Sequence, residues 1–395
     1  MKVLYVVILG VIVGLTSCVN REGKINQSEN SGNNVRKIKD IVIYQDSLFH
    51  AAFPSAIKRE DGKILVAFRR SPEHRIFGDT YSNHVDPNSY LMMVSSTDGE
   101  HWTEQPELFY AHPFGGSQDP CLLQLQDGKL LCASYCWRYL TQEAVSKLKK
   151  PYLQTSAEGF IFMGGYLVYS TDGGEKWQGP VYPPHLNDEI NYNAMGIPLS
   201  AYNRGALYEG KDGRIFWAVA ASTASGHTNT HLLTSADEGL TWEYSCPVAS
   251  DTVASFNETS VYETPKGDIV AFMRSAKIDD QACIARSTDG GKSFQEWKYM
   301  GFQGHPLHAL RLHDNRVLLT YGYRHKPAGI RARILNAECT DYETASEFII
   351  RDDGGSNDLG YPWSVQLDEH RVLVVYYFNK ENGPKHIAGT ILEIK

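Results

Sequence analysis

Apolar and polar positions along most of the chain alternate with a period of two, in short runs broken by Asp, Gly and Asn. Six segments share one form: FPSAIKREDGKILVAFR, DPCLLQLQDGKLLCASY, RGALYEGKDGRIFWAVA, ETSVYETPKGDIVAFMR, PLHALRLHDNRVLLTY and YPWSVQLDEHRVLVVYY. Each reads as two strands of alternating or continuous β-branched and apolar residues around a tight polar turn. A second pattern interleaves with the first: SSTDGEHW (95–102), YSTDGGEKW (169–177), TSADEGLTW (234–242) and RSTDGGKSF (286–294). Its form is Ser-x-Asp-x-Gly-x-x-aromatic, with Gly99 one place early in the first copy. The Asp can accept from the amides that follow it, the glycine supplies positive φ, and the aromatic ring plugs the turn.

Each of the six hairpins is followed by a second hairpin carrying the Asp pattern, degenerate in the last two. Two hairpins make a four-stranded sheet. The repeat therefore predicts an all-β, six-bladed β-propeller of four-stranded antiparallel blades. The segment IKDIVIYQ (38–45) is expected to join the final sheet and close the ring.

Composition agrees: Tyr (23) and Gly (34) are plentiful, and Ala-Leu-Glu helical runs are scarce. The net charge of -8, with no basic run, gives no reason to expect nucleic acid. Outside the first residues there are six cysteines, Cys121, Cys132, Cys136, Cys246, Cys283 and Cys339, with no C-x-x-C pair. They sit mostly in apolar runs and read as buried thiols. One disulfide stays open.

The N-terminal MKVLYVVILGVIVGLTSC has the charge, apolar core and length of an export signal. Its Leu15-Thr16-Ser17-Cys18 ending resembles a bacterial lipoprotein processing site, which makes residues 1–18 a signal and Cys18 the lipidated residue. Residues 19–37 are polar and Asn/Ser/Gly-rich, as in a flexible tether. The expectation is a monomeric propeller over 38–395, exported and held at the bacterial cell envelope by acyl chains, which anchor without spanning.

In a propeller the innermost strand of each blade begins near one mouth of the central channel. The residues entering the six hairpins are Phe53, Asp119, Arg204, Glu258, His305 or His308, and Tyr361. Charged groups converging there are costly unless they meet each other or a ligand. Glu258 and Arg274, at the two ends of one hairpin, are both expected to reach this funnel. The histidines His305, His308 and His325 have no spacing that argues for a metal, so none is expected, and no cofactor either. Trp137 and Trp363 are candidates for stacking on sugar faces or for packing.

With its Asp-box turns and six hairpins, residues 40–395 resemble the sialidase superfamily. Within that resemblance NETSVYETPKGDIVAFMR matches a segment in which a glutamate is followed, a hairpin later, by one arginine of a three-arginine clamp: Glu258 and Arg274. Arg331 in AGIRARI, with Arg333 beside it, stands for a further clamp arginine, and Tyr361 in DLGYPWSV for the nucleophile. A neutral phenol with Glu258 as base avoids the repulsion that a carboxylate nucleophile would meet from an anionic substrate. The acid/base aspartate falls in the loop after the first hairpin, where Asp86 fits best and Asp79 is the alternative; His74 and His84 share that loop. The family's first clamp arginine precedes an Ile-Pro, but this chain has HAAFPSA, with Ala52 or Phe53 at that place. Phe cannot replace a bidentate guanidinium. Arg69, Arg70 or Arg204 is left to fill the role in part, with Asp119 and His308 as further substrate contacts.

The resemblance implies a retaining, sialidase-like exo-glycosidase that removes a terminal acidic sugar from a glycan, and the missing first arginine points to an acidic sugar other than ordinary sialic acid. Two rivals stay open. One is another propeller carbohydrate enzyme, such as a non-sialic glycosidase or a uronate lyase. The other is a non-catalytic glycan-binding lipoprotein.

Overall fold

A computed structural model describes residues 35–78, 84–155, 159–381 and 383–395. Cys18, the export signal, most of the tether and Asp79 lie outside the described residues. From Val35 onward the chain folds as six sheets of four antiparallel strands. Blade one runs Phe49–Lys58, Ile64–Pro72, Tyr90–Ser96 and Glu107–Tyr110 from the axis outward. Blade two is Gly116–Gln124, Leu130–Tyr139, Phe160–Ser170 and Gln178–Val181; blade three is Tyr208–Glu209, Ile215–Ser222, Thr228–Ser235 and Glu243–Ala249. Blade four is Ser255–Glu263, Ile269–Ala276, Gln281–Ser287 and Lys298–Gln303; blade five is Leu307–Arg311, Val317–Tyr323, Gly329–Leu335 and Glu347–Arg351.

Blade six takes three strands from the C-terminal end, Gly360–Gln366, Arg371–Phe378 and His386–Ile394, and its outermost strand, Val35–Tyr44, from the other end of the described chain. The ring thus closes through backbone pairing, from Val35 opposite Ile394 to Tyr44 opposite Ile387. The strand begins three residues inside the segment read as tether. An outermost strand needs only its backbone ladder and one half-buried face, so Arg36 and Lys37 belong to it without being apolar. The Lys37 ammonium reaches the Ile350 carbonyl of blade five at 3.0 Å.

Apolar residues of the middle strands fill the space between blades. Val66 and Phe68, Ala133, Trp217 and Val219, and Leu373 and Val375 are fully or almost fully buried in one such cluster. The Asp-box turns join third and fourth strands. In blade three the Ser235 hydroxyl donates to Asp237 at 2.9 Å and accepts from the Gly239 amide at 2.9 Å. The Trp242 indole N–H closes on the Gly239 carbonyl at 3.1 Å. All six cysteines from Cys121 to Cys339 are buried free thiols. Among the described residues no helix is long and apolar enough to cross a membrane.

Candidate active site

Four inner strands share a local distortion. The pairing of first and second strand slips between Ala52 and Ser55, Gln118 and Cys121, Asn257 and Thr259, and Gly360 and Trp363. Each slip holds one non-glycine residue at positive φ: Phe53 at 57°, Asp119 at 27°, Glu258 at 38° and Tyr361 at 53°. Such bulges re-aim a side chain, and each left-handed residue costs on the order of 1–3 kcal/mol. All four side chains line one cavity of about 350 Å³, together with Arg204, Arg274 and Arg324.

Three of these groups are joined directly. The Tyr361 hydroxyl donates to Glu258 Oε1. Arg274 Nη1 donates to Glu258 Oε2 at 2.6 Å and to Tyr361 Oη at 3.1 Å. Burial works to raise the Glu258 pKa, but the Arg274 charge and the hydrogen bonds from Tyr361 and Arg274 outweigh it and hold the carboxylate below its ordinary range. Burial and the Glu258 charge push the Tyr361 phenol well above its ordinary value, against the pull of Arg274 and Arg324. The resting pair is therefore an ionised carboxylate and a protonated phenol, the state in which Glu258 can accept a proton as Tyr361 forms a bond.

Arg324 enters just beyond the second strand of blade five. Its Nε donates to the Leu359 carbonyl at 3.1 Å and its Nη2 to the Tyr377 hydroxyl at 2.9 Å, and its guanidinium lies 5.3 Å from the Tyr361 ring centroid. Arg204 packs over Tyr361 and Trp363, at 4.9 and 5.1 Å, and donates to the Pro54 carbonyl at 2.8 Å. Its Nε and Nη1 are buried without a hydrogen-bond partner among the described residues. Phe53 lines the cavity with an apolar ring, edge-on to Tyr361 with centroids 4.7 Å apart.

Asp119 faces the same cavity. Its Oδ2 accepts from the Tyr135 hydroxyl at 2.8 Å, while Oδ1 is buried with no partner among the described residues. Burial first, then the Glu258 charge, push its carboxyl up to about 7, against Arg204, the Tyr135 bond and Arg69. Asp358 lines the wall beside Phe53 and His84. It accepts from Tyr377 at 2.7 Å, and His84 and the Lys385 ammonium lie 3.1 and 3.3 Å from it. Burial opposes its ionisation, but these partners hold it well below the usual carboxylate range.

Several expected residues stand elsewhere. Arg331 does not line the cavity. It lies in the third strand of blade five, a layer further from the axis, and donates to the carbonyls of Arg351 at 2.5 Å and Pro327 at 3.2 Å. Arg324, seven residues earlier, lines the cavity instead. Asp86 also misses the cavity: its side chain is buried in the wall, bonded to His74 and accepting from the Asn88 amide at 2.7 Å. His308 lies outside the lining, stacked on Trp363 with centroids 4.5 Å apart. Burial and Arg204 lower its pKa to about 3. Arg69 is fully buried outside the lining, within electrostatic range of Asp86, Asp119, Tyr135 and Asp358; burial lowers its pKa to about 10 against their pull. Trp137 lines the cavity and Trp363 is packing. Among the described residues no group of three or more His, Cys, Asp or Glu is placed to hold a metal ion.

Sequence reasoning missed Arg324, Asp358 and Tyr135, and a signal for two of them existed. Tyr135, Arg274 and Tyr377 each stand seven residues beyond a hairpin's turn residue, Gly128, Gly267 and His370, and all three line the cavity. Arg324 is two places further along in its own hairpin, hence on the same side of an alternating strand.

A family model described as a BNR repeat-like domain matches residues 152–374. The crystal structure of a protein of unknown function from Dyadobacter fermentans DSM 18053 is 65% identical, covers 92% of this chain and 100% of its own, and superposes with a TM-score of 0.90. A mutant NanB sialidase from Streptococcus pneumoniae is 13% identical, with a TM-score of 0.60 over 89% of this chain and 70% of its own. Trypanosoma rangeli sialidase is 14% identical, with a TM-score of 0.58 over 90% of this chain and 58% of its own. At such identity the two sialidases share a fold with this chain, and the fold alone. No curated protein matches the sequence.

Proposed function

Because the chain belongs to the BNR repeat-like domain family, among the sialidase-like six-bladed propellers, and because a phenol, a carboxylate and arginines meet in one cavity, we propose that it is a retaining exo-glycosidase acting on a terminal acidic sugar. The observation that carries this reading is the hydrogen-bonded set Tyr361, Glu258 and Arg274. A site that only bound a glycan would gain nothing from a carboxylate poised to take a phenol proton. In the proposed reaction Tyr361 Oη attacks the anomeric carbon while its proton passes to Glu258 Oε1. Arg274 steadies the phenolate that develops, and Arg324 and Arg204 add positive charge for an anionic substituent. Water later releases the sugar from Tyr361 with retention.

Phe53 shapes the substrate class. It puts an apolar ring where a sialic acid carboxylate would meet a first arginine. The reading is therefore an acidic sugar other than an ordinary α-sialoside, such as a different ulosonic or a uronic acid. A panel of nitrophenyl glycosides of acidic sugars tests it. Release from at least one of them is expected, with Tyr361→Phe inactive and a glycosyl adduct on Tyr361 detected by mass spectrometry. Activity that survives Tyr361→Phe and Glu258→Gln would overturn the mechanism, and preferred cleavage of sialosides would overturn the substrate class.

A further inference from the structure

Protonation of the leaving oxygen needs an acid in the cavity; of the two first-loop aspartates whose position suggests it, Asp86 is tied to His74 and Asn88 in the wall and Asp79 lies outside the described residues. From the bulge geometry, the place of its carboxyl in the cavity lining and its buried, unpartnered oxygen, we propose that Asp119 is the general acid and base of the reaction. The inference rests on the glycosidase reading above.

Asp119 sits on the inner strand of blade two, held at positive φ by the same kind of bulge that presents Glu258 and Tyr361. Tyr135 fixes Oδ2 from the neighbouring strand, so Oδ1 is the oxygen left to meet a substrate. The groups acting on it are Glu258 from blade four, Arg204 before blade three, Arg69 from blade one, Tyr361 from blade six, and Tyr135 and Cys121 of its own blade. Their balance divides two carboxylates that share a cavity. Glu258 has the close Arg274 partner and stays ionised; Asp119 has no paired cation at hydrogen-bond distance among the described residues and is held protonated up to about pH 7. Two carboxyl groups pushed apart in this way are the signature of an acid beside a base.

In the first step the Asp119 carboxyl gives its proton to the glycosidic oxygen. The anomeric C–O bond breaks with its electron pair going to that oxygen, and Tyr361 Oη bonds to the anomeric carbon as its proton goes to Glu258. The aglycone leaves as an alcohol. In the second step the Asp119 carboxylate takes a proton from water, the water oxygen bonds to the anomeric carbon, and the Tyr361 C–O bond breaks. The phenolate then regains its proton from Glu258. The acid form is required at the start, so kcat/KM should fall as pH rises through about 7.

The test has two arms on the full chain. In the first, carbon-13 NMR of labelled Asp carboxyls is followed against pH, with Asp119→Asn assigning the signal. A midpoint near 7 is expected. A midpoint in the ordinary carboxylate range overturns the proposal whether or not a substrate has been found. In the second arm, a cleaved nitrophenyl glycoside is compared with the alkyl glycoside of the same sugar. Asp119→Asn should lose about 100-fold or more of kcat/KM on the alkyl glycoside and far less on the nitrophenyl one, whose leaving group needs little protonation. It should also lose the basic limb of the pH profile, and azide should restore turnover. Equal loss on both substrates would make Asp119 a binding residue and overturn the proposal. Leaving-group-dependent loss in Asp79→Asn instead would overturn it too. If Tyr361→Phe keeps activity while Asp119→Asn behaves as expected, the nucleophile reading fails and the acid stands.

Discussion

Arg324 and Arg331 are seven residues apart and differ in one respect that matters. Both donate to backbone carbonyls and both lie over a tyrosine ring, Arg331 over Tyr323 and Arg324 over Tyr361, but of the two Arg324 lines the cavity. A charge-assisted contact is worth roughly 1.5–3 kcal/mol, so on the proposed glycosidase reading Arg324→Ala should cost about 10- to 100-fold in kcat/KM, together with some stability as its bonds to Leu359 and Tyr377 are lost. Arg331→Ala should lower the unfolding midpoint and spare the kinetics of what folds. Thermal unfolding and steady-state rates on one acidic glycoside separate the two, and an unaffected rate in Arg324→Ala would remove it from the proposed substrate site. Phe53→Arg belongs to the same experiment. It should raise the rate on a sialoside relative to the preferred sugar, because it adds the guanidinium that Phe53 denies.

Blades hold together through their turns as well as their sheets. Gly239, in the Asp box of blade three, has φ 82°, and a Cβ built on it would lie 2.7 Å from Leu131 Cδ1 of blade two. Gly213, at a hairpin tip, has φ 79° with nothing within 4 Å of such a Cβ. Both Gly→Ala changes pay for a left-handed alanine, about 1 kcal/mol or somewhat more. Only Gly239→Ala adds the overlap with a buried leucine, worth roughly 1–3 kcal/mol more. Denaturant titration should therefore rank Gly239→Ala well below Gly213→Ala. Equal losses would mean that the blade contact yields freely and that the Asp-box glycine matters for its φ alone.

At the scale of the whole molecule, the ring is closed by a strand from the opposite end of the described chain. Val35–Tyr44 covers the open edge of His386–Ile394 along nearly its full length. Without it, a long buried strand would become an edge that pairs with other chains. A chain starting at Asn34 keeps this strand and serves as the reference. One starting at Asp46 should unfold at a clearly lower temperature and associate. Calorimetry with light scattering decides, and a monomeric, equally stable chain from Asp46 would show that blade six needs only three strands.

Repetition made the architecture legible. Six hairpins and four Asp boxes state their strand number and turn positions in local chemistry, and local chemistry is what a sequence displays. Glu258, Arg274 and Tyr361 were legible for the same reason, since each holds a fixed place relative to a hairpin turn. Arg331, Asp86 and His308 were misplaced because their neighbours in sequence say nothing about depth from the axis. Arg331 is one strand too far out, Asp86 turns onto His74, and His308 stacks on Trp363. Asp119 shows the remaining limit. The sequence offers an acid before a proline. Its charge state is decided by burial and by Glu258, which stands 139 positions along the chain (258 − 119) and is brought to the same cavity by the closed ring. Pairing pattern and turn chemistry are local properties that the sequence determined. Depth, hydrogen-bond partner and protonation are sums over distant groups, so only the tertiary structure decided them.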